Sequence, residues 1–164
     1  AAKVTGVDYA APCLQAMNNK ATEDAPQRKS DSAANDEDVP ATQHTEAIID
    51  GEKWVAITEG INVFEQHSKK VFSFYATNTP QILTINYSGP WKPGEYKTGT
   101  DLQMGFRVSE QKIFSAETGK LIITKLDTAA KTISGTFSFS LINIRNKEQH
   151  MQITNGEFFN VRWR

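Results

Sequence analysis

A chain of 164 residues with 38% hydrophobic and 23% charged residues has room for one core and not for two. A formal charge of −1 with dispersed cations supplies no basic stripe of the kind that binds nucleic acid. Cys13, the single cysteine, excludes an intrachain disulfide and a cysteine-based zinc or iron–sulfur centre, and the absence of an apolar run of about 18 residues excludes a membrane-spanning helix.

The charge is unevenly placed. Residues 1–46 carry four Lys/Arg against eight Asp/Glu, and residues 47–164 carry fourteen against eleven. From Asn18 to Thr45 the only large aliphatic residue is Val39, so this stretch cannot build a core. Residues 1–46 are therefore read as a polar, acidic, irregular N-terminal arm or linker, either a spacer or a segment that orders on a partner or on its own domain. Tyr9, Pro12, Leu14 and Met17 are its apolar anchors, and a helical turn could start at Pro12. Coil over residues 18–45 has an r.m.s. reach of about 30 Å.

Residues 47–164 read as a single antiparallel β domain. Ala47–Ile49 and Lys53–Ile57 flank Asp50-Gly51, a pair suited to the positive φ of a hairpin turn, and Trp54 is placed in the core. Further strands are expected at Gly60–Glu65, Lys70–Ala76, Gln81–Tyr87, Glu95–Thr98, Gln103–Ser109, Lys112–Phe114, Lys120–Leu126, Thr132–Asn143 and His150–Arg162. Asn78-Thr79-Pro80, Ser88-Gly89-Pro90, Lys92-Pro93-Gly94 and Thr118-Gly119 read as the turns between them. Asp127–Ala130 is the only further place for a helical turn.

The clearest element is Lys131–Leu141. Ile133, Phe137, Phe139 and Leu141 alternate with Thr132, Ser134, Thr136, Ser138 and Ser140, as in a strand with one face on a core and one in water. Asn155-Gly156 interrupts the last strand. Because Met151 and Ile153 share odd parity with Phe159, Val161 and Trp163, a bulge within one long strand is favoured over a turn. About ten short strands imply an all-β fold, either an antiparallel β-sandwich or a closed, calycin-like β-barrel.

The succession Ile48-Ile49-Asp50-Gly51-Glu52-Lys53-Trp54, then Gly89-Pro90 to Gly94-Glu95-Tyr96, then Gly119-Lys120-Leu121-Ile122-Ile123-Thr124-Lys125-Leu126-Asp127 continues into Ile133-Ser134-Gly135-Thr136-Phe137-Ser138-Phe139 and Ile153-Thr154-Asn155-Gly156-Glu157-Phe158. In order and spacing, over residues 47 to 162, it resembles a family of uncharacterised Bacteroidota cell-envelope lipoproteins. The resemblance implies export, tethering to the outer membrane by an N-terminal lipidated cysteine, and a small β domain without a known activity. Cys13 follows Tyr9-Ala10-Ala11-Pro12, and that proline departs from a lipobox. Either the anchoring cysteine lies upstream of Ala1 or this member is not lipidated. Asp31-Ser32-Ala33 and Asp127-Thr128-Ala129 resemble the O-glycosylation sequon of exported proteins of that phylum, which makes Ser32 and Thr128 candidate modification sites.

Catalytic and metal signatures do not emerge. His44, His67 and His150 lack the spacing that puts two ligands on one face, and Asp36-Glu37-Asp38 lacks the glycine and distal glutamate of a calcium loop. No serine occupies a Gly-x-Ser-x-Gly elbow, and nothing marks Asp101, Glu110, Glu117 or Glu157 as a perturbed pair. Trp91, in Tyr87-Ser88-Gly89-Pro90-Trp91-Lys92-Pro93-Gly94, is held between two prolines. It either covers one end of the fold or, with Tyr87, forms a ligand-binding surface for a sugar or a protein contact. Trp163 between Arg162 and Arg164 is expected to pack at the core or an edge. The expectation is a non-enzymatic domain without a cofactor, exported to the outer membrane, the cell surface or the periplasm. It would act by binding, or as a component of an outer-membrane or surface protein assembly, with an envelope or outer-membrane protein as partner. A membrane link, if one is present, would be a lipid anchor alone. The alternatives are a glycan-binding module and a calycin-like carrier whose apolar ligand is enclosed by Phe72, Phe74, Phe106, Phe137 and Phe139.

Overall fold

The computed structural model describes residues 42–164. They form ten strands: His44–Ile49 (β1), Glu52–Val55 (β2), Thr58–Gln66 (β3), Lys69–Asn78 (β4), Gln81–Tyr87 (β5), Gly94–Lys97 (β6), Leu102–Arg107 (β7), Ile113–Asp127 (β8), Thr132–Asn143 (β9) and His150–Arg162 (β10). No helix occurs among the described residues. All strand pairs are antiparallel, and the strands make one sheet in the order β2-β1-β10-β9-β8-β7-β5-β4-β3, with β6 paired to β8. The two ends of that order, β2 and β3, are consecutive in the chain, so the sheet curls into a half-barrel instead of stacking as two layers. The β3 edge closes on the tail of β10, where Ile61 bridges Trp163 in parallel.

Alternation of apolar side chains builds the concave face. Phe72, Phe74 and Ala76 of β4, Leu83, Ile85 and Tyr87 of β5, and Leu102, Met104 and Phe106 of β7 are buried at every second position. β9 follows the expected pattern, with Ile133, Phe137, Phe139 and Leu141 inside. Each such aliphatic or aromatic side chain stabilises the fold by about 1.5–3 kcal/mol on leaving water.

β8 and β10 depart from the simple pattern. The segments expected as separate strands at Lys112–Phe114 and Lys120–Leu126 belong to the one fifteen-residue strand β8. Thr118-Gly119 is therefore not a turn. It lies at a register shift between Ala116 and Thr118, and a second shift falls between Ile123 and Lys125. A glycine-containing bulge interrupts alternation in the same way that a turn does, which is why the two read alike. β10 runs through Asn155-Gly156, as the bulge interpretation requires, with shifts at Ile153/Gly156 and Phe158/Val161. Asn155 and Asn160 both adopt φ of 49°. The first bulge moves the inward set to Gly156 and Phe158, and the second returns it to Val161. Phe158 is thus the core residue at 1% exposure, and Phe159, grouped with the core by parity, is 41% exposed.

Three glycines on this wall face phenylalanines directly across a strand pair: Gly119 and Phe139, Gly135 and Phe158, Gly156 and Phe137. A Cβ on Gly135 would stand 2.6 Å from Cζ of Phe158, and one on Gly119 would meet the Phe139 ring. The missing side chains make room for the rings, and the four bulges bend the strands around them.

β1 starts at His44, three residues ahead of the expected Ala47, because Thr45 already faces inward at 1% exposure. Asp127–Ala130 is a capped turn and not a helix: Asp127 Oδ1 accepts the N–H groups of Ala129 (3.1 Å) and Ala130 (2.9 Å).

Candidate functional site at the sheet seam

The meeting of β3 with the end of β10 fixes a set of outward-facing side chains. Gly60 pairs with Tyr75, and Asn62 with Ser73, across β3 and β4. On the other side of β3, Ile61 is opposite Trp163, and its carbonyl accepts the Arg164 N–H at 3.4 Å. By alternation, the rung through Gly60 runs from Tyr75 to Arg162, and the next, through Asn62, from Ser73 to Arg164. Gly60 leaves space that the phenol of Tyr75 fills; a Cβ there would stand 2.6 Å from the hydroxyl and 2.9 Å from Cζ. Gln43 covers the far side, its Oε1 accepting the Arg162 N–H at 2.9 Å. The result is a groove of about 460 Å³. Arg162 and Arg164 are exposed and form no ion pair among the described residues.

Glu59 lies on the inward parity of β3, opposite Ala76, at the floor of the groove. Partial burial raises its carboxyl above the ordinary 4.5, while the charge of His44 and the Thr45 hydroxyl act in the opposite direction. That hydroxyl is enclosed and has no partner of good hydrogen-bond geometry. An inward-pointing charge on an edge strand also disfavours uncontrolled pairing with another edge.

The Trp91 loop adjoins the seam. Trp91 packs edge to face on Phe72 (centroids 5.4 Å apart, planes at 77°) and on Trp163 (5.8 Å, 72°). It is half-buried, with its Nε1 enclosed and unpartnered. Tyr87 is 2% exposed, and its hydroxyl donates to the Pro90 carbonyl at 3.0 Å. Burial, then the neighbouring Tyr96, push its ionisation upward. Tyr96 packs on Tyr87 at 4.5 Å and donates to the Lys92 carbonyl at 2.8 Å. The loop is thus folded down over two tyrosines: Trp91 is the wall between this end and the seam, and Tyr87 is a support beneath it.

The remaining sequence candidates are scattered. Thr128 sits exposed at the β8–β9 turn. Ser32, Cys13 and Asp36-Glu37-Asp38 lie outside the described residues. His44 approaches Glu46 at 3.2 Å and His150 approaches Glu117 at 3.5 Å, while His67 occupies the β3–β4 turn. Among the described residues no three His, Cys, Asp or Glu side chains are grouped to hold a metal. Asp101 accepts from Lys69 (3.0 Å) and Ser88 (3.1 Å), and these bonds hold its carboxyl below the usual range. No hydrogen bond joins it to Glu110, Glu117 or Glu157. Phe72, Phe74, Phe106, Phe137 and Phe139 are 1–3% exposed within one packed cluster.

Sequence reasoning noticed Trp163 and its flanking arginines but gave the arginines no role, and it passed over Gln43, Glu59, Asn62 and Tyr75. The available signal was Gly60 inside a strand, which marks a close approach; its partner Tyr75 follows only once the β3–β4 register is known.

A single curled sheet with a groove at its seam defines a small all-β, half-barrel domain. The chain belongs to the family described as Domain of unknown function (DUF6252), whose model matches residues 41–162. No curated protein and no solved structure matches it. The matched span contains every groove residue named above except Trp163 and Arg164.

Proposed function

We propose that this protein is an exported, cell-envelope or surface-associated domain that acts by binding and performs no chemistry, with the seam groove as its contact surface. The observation that carries this reading is the outward rung Tyr75–Gly60–Arg162 beside Asn62 and Arg164, a set of hydrogen-bond donors on a stiff sheet. The likeness of the Asp50-Gly51-Glu52-Lys53-Trp54 and Ile133–Phe139 motifs to Bacteroidota envelope lipoproteins supports export, with a lipid anchor as the membrane link. The packed phenylalanine cluster weighs against a carrier that encloses its ligand.

Fractionation of cells expressing the full-length protein, followed by protease treatment of intact cells, tests the location. Recovery in the envelope is expected; a cytosolic protein overturns export. A second reading is a protein partner from the envelope. It is favoured by β3 beyond Ile61, where the outer edge has no paired strand among the described residues and Phe64 is 45% exposed. A photo-crosslinker at position 64 that captures one outer-membrane protein in cells would support it, and one that captures none would remove it.

A further inference from the structure

We infer that the seam groove binds a saccharide bearing a carboxylate, the acid held by Arg162 and Arg164 and the sugar ring laid against Tyr75; this rests on the binding-domain reading above. Arg162 ends β10 and Arg164 follows the Trp163 bridge two residues on, so by alternation both guanidinium groups leave the same face. Guanidinium presents a planar fork of donors that fits a carboxylate, and two of them on one face favour an anion over a neutral group. Asn62, one rung across from Arg164, adds an amide. Gln43 has its carbonyl oxygen committed to the Arg162 N–H, so its amide N–H groups are what it offers a ligand.

Tyr75 gives the site its shape. It is partly exposed and crosses Gly60 at contact distance, so its phenol is brought over β3 toward the arginine side of the groove. A half-exposed ring resting on the backbone is a platform for a pyranose face, and its hydroxyl, without a hydrogen-bond partner among the described residues, can donate to a ring substituent. Donors for one acid beside an aromatic platform match an acidic sugar better than a bare anion, which needs no platform.

The test is calorimetric titration of the full chain with oligogalacturonate, with maltohexaose as the neutral control. Oligogalacturonate is expected to bind more tightly than maltohexaose, and Arg162→Gln with Arg164→Gln to weaken it by about tenfold or more, the loss of charge-assisted hydrogen bonds. Gly60→Ala, which displaces Tyr75, and Tyr75→Leu, which removes it without touching Gly60, are each expected to weaken binding about threefold to tenfold while the thermal midpoint confirms folding. Equal affinity for the neutral and acidic oligomers, absence of binding at millimolar oligogalacturonate, or full affinity in the double arginine variant overturns the inference. The fractionation experiment is independent of ligand: an envelope protein that binds no uronate overturns this inference alone, and a cytosolic protein that binds it overturns export alone.

Discussion

The β8–β9–β10 wall and the seam between β3 and β10 use the same pairing of a glycine with an aromatic residue on the neighbouring strand, turned to opposite faces of the sheet. On the wall, Gly119, Gly135 and Gly156 receive Phe139, Phe158 and Phe137 from the inside, and the rings become core. At the seam, Gly60 receives Tyr75 on the outside, and the ring remains half-exposed beside two arginines. One device therefore serves packing in the first region and presentation in the second. The contrast is between a close approach that gains burial and one that leaves its ring at the surface.

The largest effect tests the wall. Phe158→Ala is expected to cost about 3–5 kcal/mol, as for a fully buried phenylalanine, whereas Phe159→Ala should cost under about 1 kcal/mol. Urea unfolding with an unchanged denaturant slope measures both. Equal losses would mean that the bulge at Asn155 does not invert the strand, and the inward pairing of Gly135 with Phe158 would fall with it.

A smaller difference separates the two kinds of glycine. A Cβ on Gly135 meets the backbone carbonyl of Ile122 as well as the Phe158 ring, neither of which has room to retreat, so Gly135→Ala should cost about 1–3 kcal/mol. At Gly60 the obstacle is the far end of the Tyr75 side chain, which can swing into solvent, and Gly60→Ala should stay within about 0.5 kcal/mol of the parent. Thermal unfolding of the two variants side by side decides it. Comparable losses would make the seam glycine a packing residue like the others and would remove the reason to read Tyr75 as presented.

The two regions were also unequally readable from sequence. Strict alternation made β4, β5, β7 and β9 plain, because a half-buried strand has a period of two whatever its neighbours are. β8 was read as two strands and Phe159 as core because each bulge adds a residue and inverts the pattern, and glycine or asparagine at the inversion is equally at home in a turn. The β3–β4 turn gave no such signal: His67 and Ser68 adopt φ of 50° and 60° without a glycine. The seam was hidden for a different reason. Gly60, Tyr75 and Arg162 lie on three strands whose neighbourhood is set by closure of the sheet, and no local pattern in the chain encodes that Ile61 meets Trp163. Trp91 was noticed for its prolines, but its half-burial depends on Phe72 and Trp163, which are equally remote in sequence.

The smallest effect concerns the floor of the seam. The Glu59 carboxyl is raised above 4.5 mainly by burial, so its ionised form is the less welcome one in the folded state. Below the unfolded value both states hold the proton and there is no penalty; as pH rises through the folded value, the penalty appears and stability is lost. Glu59→Gln should therefore raise the thermal midpoint at pH 7 by at most about 4 °C, with the gain fading toward pH 4. His44 and Thr45 temper the gain because both favour the charged form. On the wall, the nearest atoms that a Cβ on Gly135 would meet, the Ile122 carbonyl and the Phe158 ring, do not titrate, and Gly135→Ala should show the same loss at both pH values. A midpoint that falls at pH 7 in Glu59→Gln would reverse the assignment: the carboxylate would then be a fastener that holds β3 to β1 through Thr45 and His44, and the seam would be closed by charge instead of kept open for a ligand.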